Sequence, residues 1–369
     1  MKIQTIDSQM IKRLIIGTLA TLLTYTIGHA QSYSNEFLAI GVGARAHGMS
    51  GAITASTSDV YSTYWNPAGL TGIESPVQLG LMHAEWFAGV AKYDFLGFAK
   101  PFGGDKKRTI GVSIIRFGID NIPYTLNLIG ADGSINYDNV RSFSAADYAI
   151  QGSYAQMLGE NLSIGGNVKV IRRVIGSLAG AWGVGADLGI QYKVGHFKFA
   201  AVGRDITTTY NAWTATLTDD EKLAFASSGN TIPKTSVEIT KPTFFLGAAY
   251  STPLSKSVNF TLEADAGVAT DGQRNVLVSA KAFNLDPRFG FELEYEKNIW
   301  LRGGIGNFQR LKNELDPTKK ELNFQPNFGL GLRLGRLIVD YGLTNIGNTS
   351  AVQVSHIFSL KLDLKKRGN

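Results

Sequence analysis

The 369-residue chain contains no cysteine, which excludes disulfides and thiolate chemistry. That absence suits an exported chain that does not rely on oxidation. Charge is scarce as well: Asp, Glu, Lys and Arg make up 18% of the residues, against roughly 25% in soluble domains. Mean hydropathy is nevertheless near zero (−0.01), and no stretch after residue 30 reaches the run of about 18 apolar residues that a spanning helix needs. Only five histidines occur, and His29, His47, His83, His196 and His356 share no ligand spacing, so neither metal nor cofactor is expected. No Ser-His-Asp set can be assembled by spacing, so no catalytic residues are assigned and the chain reads as a non-enzyme. Gly41-Val42-Gly43 with Gly48 lacks the third glycine, the preceding strand and the βαβ unit of a dinucleotide loop. Asp219-Asp220-Glu221 reads as a solvated acidic loop. The net charge of +6 is too small to imply nucleic acid.

What the chain has instead is alternation. From Pro76 onward, short stretches with apolar residues at every second position are joined by connections of two kinds. The tight ones are Gly103-Gly104-Asp105-Lys106, Leu158-Gly159-Glu160, Val194-Gly195-His196, Ser255-Lys256, Glu296-Lys297-Asn298 and Leu334-Gly335-Arg336. The long ones cover roughly 119–141, 174–180, 207–240, 269–287, 309–325 and 345–351, and the two kinds interleave throughout. Outer-membrane barrels have this asymmetry, with short periplasmic turns and longer outer loops. A β-sandwich would not segregate its loops by length to opposite rims. The pattern predicts an all-β, closed, antiparallel fourteen-stranded transmembrane barrel over 76–364. The even strand count returns the C-terminus to the side of the tight turns.

Register is readable in several strands. Ile110, Val112 and Ile114 form one apolar face until Arg116, which marks emergence at the outer rim. Leu162, Ile164, Val168 and Val170 lie opposite Ser163, Gly165, Asn167 and Lys169. Val258, Phe260, Leu262 and Ala264 lie opposite Asn259, Thr261, Glu263 and Asp265. A slip of one residue would turn Glu263, Asp265, Glu292, Glu294 and Glu296 into lipid, so the register is strongly specified. Inside, these carboxylates are expected to meet lumen bases such as Lys169 or Arg333. Trp86, Phe87, Trp182, Trp300 and Tyr341 near strand ends suit interfacial girdles. Glycine at period two, as in Gly183, Gly185 and Gly189 or Gly329 and Gly331, leaves room for something inside the lumen.

Ahead of the strands stand two further segments, and a basic tail (365–369) follows them. Lys12-Arg13, the apolar run Leu14–Ile27 and the small residues Gly28-His29-Ala30 have the layout of a signal peptide, with cleavage after Ala30. Removing residues 1–30 leaves a small positive excess. Residues 31–75 are glycine-rich and expected to fold into or against the periplasmic end of the lumen. Within them, Pro67 fixes its own φ and restricts Asn66, and Asn66 can cap a turn through its side chain. Gly69 is expected to allow a conformation closed to other residues. Arg45, flanked by glycine and alanine, is placed either to meet a lumen carboxylate or to stand as a surface arginine in a loop.

The paired signature Gly41-Val-Gly-Ala-Arg-Ala-His-Gly-Met-Ser-Gly-Ala52 and Tyr64-Trp-Asn-Pro-Ala-Gly-Leu70 resembles the PorV/PorQ family of outer-membrane proteins, itself related to FadL-type channels. Further matches are Glu85-Trp86-Phe87, Tyr93-Asp-Phe-Leu-Gly97, Leu301-Arg-Gly-Gly304, Val339-Asp-Tyr-Gly-Leu343 and His356-Ile-Phe-Ser-Leu360. The resemblance implies a hatch built around Gly43, Ala44, Arg45, Trp65, Asn66, Pro67, Ala68, Gly69 and Leu70. It also implies a role in type IX protein secretion, with secreted cargo carrying a C-terminal sorting domain, and translocon or attachment-complex subunits, as partners within outer-membrane lipid. Ser50 and His47 depart from commoner family residues. The basic tail replaces the usual aromatic terminus, leaving that role to Phe358. The alternative is FadL-like passage of a hydrophobic small molecule. Trp213, Leu217, Leu223 and Phe225 in loop 207–240 fit either a cargo or a ligand surface.

Overall fold

A computed structural model of the chain describes residues 34–103, 108–126, 128, 133–227, 231–232, 235–280, 282–312, 319–344 and 354–364. The expected leader with its cleavage after Ala30, the basic tail, the loop 345–351 and most of the turn at 103–106 lie outside the described residues. The wall starts with β1 (Val77–Trp86), β2 (Ala91–Phe102), β3 (Arg108–Tyr124), β4 (Arg141–Leu158), β5 (Leu162–Ile175), β6 (Ala179–Val194) and β7 (Phe197–Arg204). Two short strands, β8 (Thr209–Ala215) and β9 (Ser236–Thr240), then rise in the longest outer connection. The wall resumes with β10 (Thr243–Pro253) and β11 (Val258–Ala269), and β12 (Val278–Ser279) is a two-residue addition. It finishes with β13 (Asn284–Tyr295), β14 (Ile299–Lys312), β15 (Lys320–Leu334), β16 (Leu337–Thr344) and β17 (Ser355–Leu364).

Leaving aside β8, β9 and β12, fourteen antiparallel strands close the barrel, as expected. Neighbours in the wall are neighbours in sequence, with β7 passing to β10 and β11 to β13. The ring is sealed by β17 on β1, where Val77 faces Leu364 and Ala84 faces Ile357. Closure satisfies the backbone groups within the ladder, the condition for crossing lipid with strands.

Side chains obey the expected alternation. Ile110, Val112 and Ile114 are exposed on the outer face, while Ser113 and Ile115 are buried within. Val168 and Val170 face out; Ser163, Asn167 and Lys169 face in. At the outer end of that same face, Arg116 meets Asp94 at 3.3 Å, and Asp94 in turn meets His83 at 2.7 Å. The apolar band therefore stops there, beneath a belt of paired charges.

Three expectations are corrected. The interleaving of loop lengths is not strict: the outer connections between β1 and β2 (87–90) and between β5 and β6 (176–178) are short. Tight outer hairpins need only residues that tolerate positive φ, and Phe87, Ala88, Gly89 and Gly176 adopt it. The girdle loses two members. Trp86 packs inward with its ring 5.8 Å from that of His47, and Trp300 is buried and donates to Glu294 at 2.9 Å. Both sit at even positions of strands whose even positions point inward. Trp182 and Phe87 remain exposed.

The third correction concerns the interior. Residues 34–75 run the height of the barrel and are not confined to the periplasmic end. Ser34 bonds Glu238 and Asn211, Asn35 bonds Thr240, and Glu36 pairs with Arg274, all on the outer side. Polar groups at the outer end of the wall hold this lead-in; the chain then descends to join β1 at Val77. Its apolar side chains Phe37, Val42, Met49, Val60, Tyr61 and Leu70 merge with Tyr93, Phe95, Ile115, Ile171 and Ile357 of the wall into one core. Burying each such side chain is worth about 1.5–3 kcal/mol. The inward glycines make the room. A Cβ on Gly329 would lie 3.1 Å from Gly48, and one on Gly342 would lie 2.9 Å from the Ala44 carbonyl. Gly183 and Gly185 instead face Asn211 and Thr209 of β8, so there the space serves the outer hairpin.

Candidate functional site

The site is this lumenal segment and what fastens it. Gly43 has φ +86°, a left-handed entry into the short helix Ala44–Gly48, and its N–H points at Met82 Sδ. The Ala44 N–H donates to Ser359 of β17 at 3.0 Å. One turn of helix then aims Arg45 at β13. There it grips Glu292 with two nitrogens, at 2.8 and 3.1 Å, and also reaches Ser56. Glu292 is shared: Arg302 of β14 meets it at 2.6 Å and meets Asp340 of β16 at 2.6 Å. Two bases and two acids thus alternate, three of them on wall strands and one on the segment. Bidentate, charge-assisted geometry of this kind fixes orientation as well as distance.

The second motif works through backbone chemistry. Asn66, preceding Pro67, is extended (φ −158°, ψ 107°), as a residue before proline must be. Its Oδ1 accepts from the Ala68 N–H, capping the 3-10 helix Pro67–Gly72, which carries proline at its first turn. Its Nδ2 donates to Thr54 and to the Ile190 carbonyl of β6, so the buried amide is fully used. Trp65 donates to the Val42 carbonyl at 2.7 Å and joins the two motifs. Leu70 is buried under Gly111 of β3. Gly69 does not have the unusual conformation expected of it. Space is what it supplies, because a Cβ there would lie 2.4 Å from the Thr57 carbonyl oxygen.

The wall carboxylates behave differently from expectation. Among the described residues, Glu263 and Asp265 form no ion pair with a base. They accept the backbone N–H groups of Ala55, Ser56 and Thr54 instead, at 2.6–3.3 Å. A turn with bare amides offers carboxylates the same positive potential that a side-chain base would. Lys169 pairs with Asp187 (2.7 Å) and Asp205 (2.8 Å), and Arg333 lies 3.8 Å from Asp363. Asp59 in the segment meets Lys361 of β17 at 2.8 Å.

Sequence spacing missed Arg204 of β7, because its partners come from distant segments. Its guanidinium lies 4.3 Å from the Tyr64 ring centre, 4.6 Å from Phe245 and 5.4 Å from Trp65. It donates to the Tyr64 hydroxyl and carbonyl, and its Nε has no partner among the described residues. The four loop residues are scattered by the structure. Trp213 lies on β8 beneath the Arg173 guanidinium (4.9 Å), Leu217 is half-buried, and Leu223 and Phe225 sit on the helix Asp219–Ser227, with Leu223 68% exposed. Among the described residues no three metal-ligating side chains gather. What the arrangement can do is hold a segment across a bore, or release it.

Two groups of the segment carry a pH signature. Burial pushes His47 down to about 4, so it is neutral at pH 7 and its Nε2–H donates to the Gly41 carbonyl (3.1 Å). Burial pushes Asp59 up, but Lys361 and Arg45 outweigh it and hold Asp59 below the ordinary 3.8. Both folded values lie below the unfolded ones. Stability from His47 is therefore complete above pH 6.5 and is lost as pH falls toward 4, and that from Asp59 is lost below 3.8. Cleavage of residues 40–70 by an acid-active protease is expected to rise between pH 6.5 and 4, and to lose that rise in His47→Gln. An unchanged rise in the variant removes His47 from this account.

No protein-family model and no curated protein matches the sequence. Solved structures do resemble the fold. The CymD monoaromatic hydrocarbon channel superposes with TM-score 0.54 at 14% identity, covering 88% of this chain and 98% of the channel. The Ralstonia pickettii toluene transporter TbuX gives 0.54 at 13% identity, with the same coverage. A Pseudomonas aeruginosa FadL homologue gives 0.51 at 11% identity, covering 87% and 98%. The chain thus has the fold of FadL-like outer-membrane barrels.

Proposed function

We propose that the protein is an outer-membrane channel for a hydrophobic small molecule, with residues 34–75 as its hatch. The observation that carries this reading is a bore closed by its own chain, through contacts that a modest shift can undo. The wall supplies the anchors and the segment supplies backbone amides, so movement of the segment is movement of the gate. Support comes from the shared fold with hydrocarbon channels, whose chains are covered almost end to end. Tyr64 and Trp65 of the segment, with Phe245 of β10, add an aromatic frame inside the bore around Arg204. Pockets for apolar ligands are of this kind, mostly aromatic with a few placed polar groups. Proteoliposomes containing the intact barrel are expected to take up labelled toluene saturably and faster than protein-free vesicles. Uptake no faster than through lipid alone ends this reading.

A second reading, handling of type IX secretion cargo, is favoured by two observations. One is the paired signature around Arg45 and Asn66 that resembles PorV/PorQ proteins. The other is apolar surface at the outer rim, where Leu223 (68%), Val237 (60%) and Ile239 (45%) are exposed on connection 205–242. Under this reading, removing 207–240 abolishes co-purification with secreted proteins that carry a C-terminal sorting domain, while the barrel keeps its heat-modified migration. If no secreted chain accompanies the intact barrel, this reading falls.

A further inference from the structure

Among the described residues, strand β9 is paired on one side only. It runs beside β8, with Thr240 facing Thr209 and Ser236 facing Trp213. On its other side the wall has already ended: β11 leaves the sheet at Ala269, opposite Thr243 of β10, and among the described residues no strand takes its place above that point. Among the described residues the wall is paired below and unpaired here, so β9 presents a row of backbone N–H and C=O groups at the outer rim. Such a row is a template for another strand.

The rest of β9 is held still. Glu238 points inward and binds Arg173 at 3.1 Å and Ser34 at 3.0 Å, and Thr240 accepts from Asn35 at 2.8 Å. Arg173 is itself pinned by Asp147. Val237 and Ile239, on the outer face, are exposed. An edge fixed in extended form loses little freedom on pairing, which favours binding.

We propose that the free edge of β9 receives an extended polypeptide strand from a secreted protein. The chemistry selects this occupant, because only another backbone offers donors and acceptors at strand spacing, with side chains alternating against Val237 and Ile239. The proposal rests on the cargo reading and specifies how cargo is held.

The absence of cysteine makes the test direct. Single cysteines are placed at Val237 and Ile239 of the full chain in native outer membranes. The probe is a co-purified secreted chain with single cysteines walked along its last strand. The expected result is disulfide formation in a ladder: a step of two residues on β9 moves the preferred partner position by two. Val237→Lys with Ile239→Lys is expected to lower co-purification at least severalfold, with the barrel still heat-modifiable. If secreted chains accompany the barrel but form no ladder on β9, the edge proposal fails and the cargo reading stands. If the ladder forms between two copies of β9, the edge serves self-association and the proposal is overturned. If no secreted chain accompanies the barrel at all, the cargo reading fails and takes the edge proposal with it.

Discussion

Glu292→Ala should free the hatch while leaving the barrel closed. Among the described residues Glu292 is the only carboxylate that Arg45 grips, and it shares Arg302 with Asp340. Without it, Arg45 is a half-buried cation with Ser56 as its remaining side-chain partner among the described residues, and the buried Arg302 keeps half its charge compensation. Removing one partner of a buried pair costs about 3–5 kcal/mol, because the orphaned charge stays buried. The segment can relieve that cost by withdrawing Arg45 toward water; the wall cannot. Strand pairing of β13 with β11 and β14 runs through backbone groups and does not involve the carboxylate. Planar-bilayer recordings should therefore show raised conductance, and protease should cut residues 40–70, while heat-modified migration persists. Pairing the change with Arg45→Met should restore part of the resistance, since no orphaned charge remains on the segment. Conductance and protease resistance equal to the parent protein in Glu292→Ala would falsify the role of this network in closure.

The barrel was legible because each wall strand states its register twice, once through apolar residues at period two and once through turns at its ends. Glu263, Asp265 and Glu292 add a third statement, as no register that puts them in lipid is affordable. The site was legible only where local chemistry determines it. Asn66-Pro67 dictates an extended residue followed by a capped turn in any surroundings, whereas Arg45 between small residues could equally have stood on a loop surface, and only the fold turns it onto Glu292. Partners could not be read in the same way. Lys169 chose Asp187 and Asp205 over the carboxylates of β11 and β13 because β5 pairs with β6, where Asn167 stands opposite Asp187, and spacing along the chain carries no such information. Arg204 escaped notice for the same reason, as its aromatic frame is assembled from the segment and from β10. Glutamate and aspartate in a strand suggest ion-pair members, yet Glu263 and Asp265 bind bare amides whose positions only the folded segment defines. The inward turn of Trp86 and Trp300 follows from strand parity, which proximity to a strand end had obscured.

Gly165→Ala and Gly304→Ala should each open the bore with a single methyl group. A Cβ on Gly165 would lie 2.5 Å from the Ala68 nitrogen and the Pro67 carbonyl carbon, and one on Gly304 would lie 2.4 Å from the Met49 carbonyl carbon. All of these are backbone atoms, which cannot rotate away as a side-chain tip can. The wall is tied on both sides, by β4 and β6 at Gly165 and by β13 and β15 at Gly304, so the segment must be what moves. Overpacking costs about 1–3 kcal/mol. At about 1.4 kcal/mol per tenfold change, that raises the open population from about fivefold to about 140-fold. Gly152 of β4 supplies the control: nothing lies within 4 Å of its Cβ position, which faces outward, and Gly152→Ala should leave conductance unchanged. The two sites also separate the readings of function. If a moving hatch admits hydrophobic molecules, both variants should speed toluene uptake in proteoliposomes along with ion leak. Should ion leak rise while toluene uptake stays at the lipid background, the hatch is a seal and not a gate, and the channel proposal yields to cargo handling. Should neither change, the segment is not the closure of this barrel.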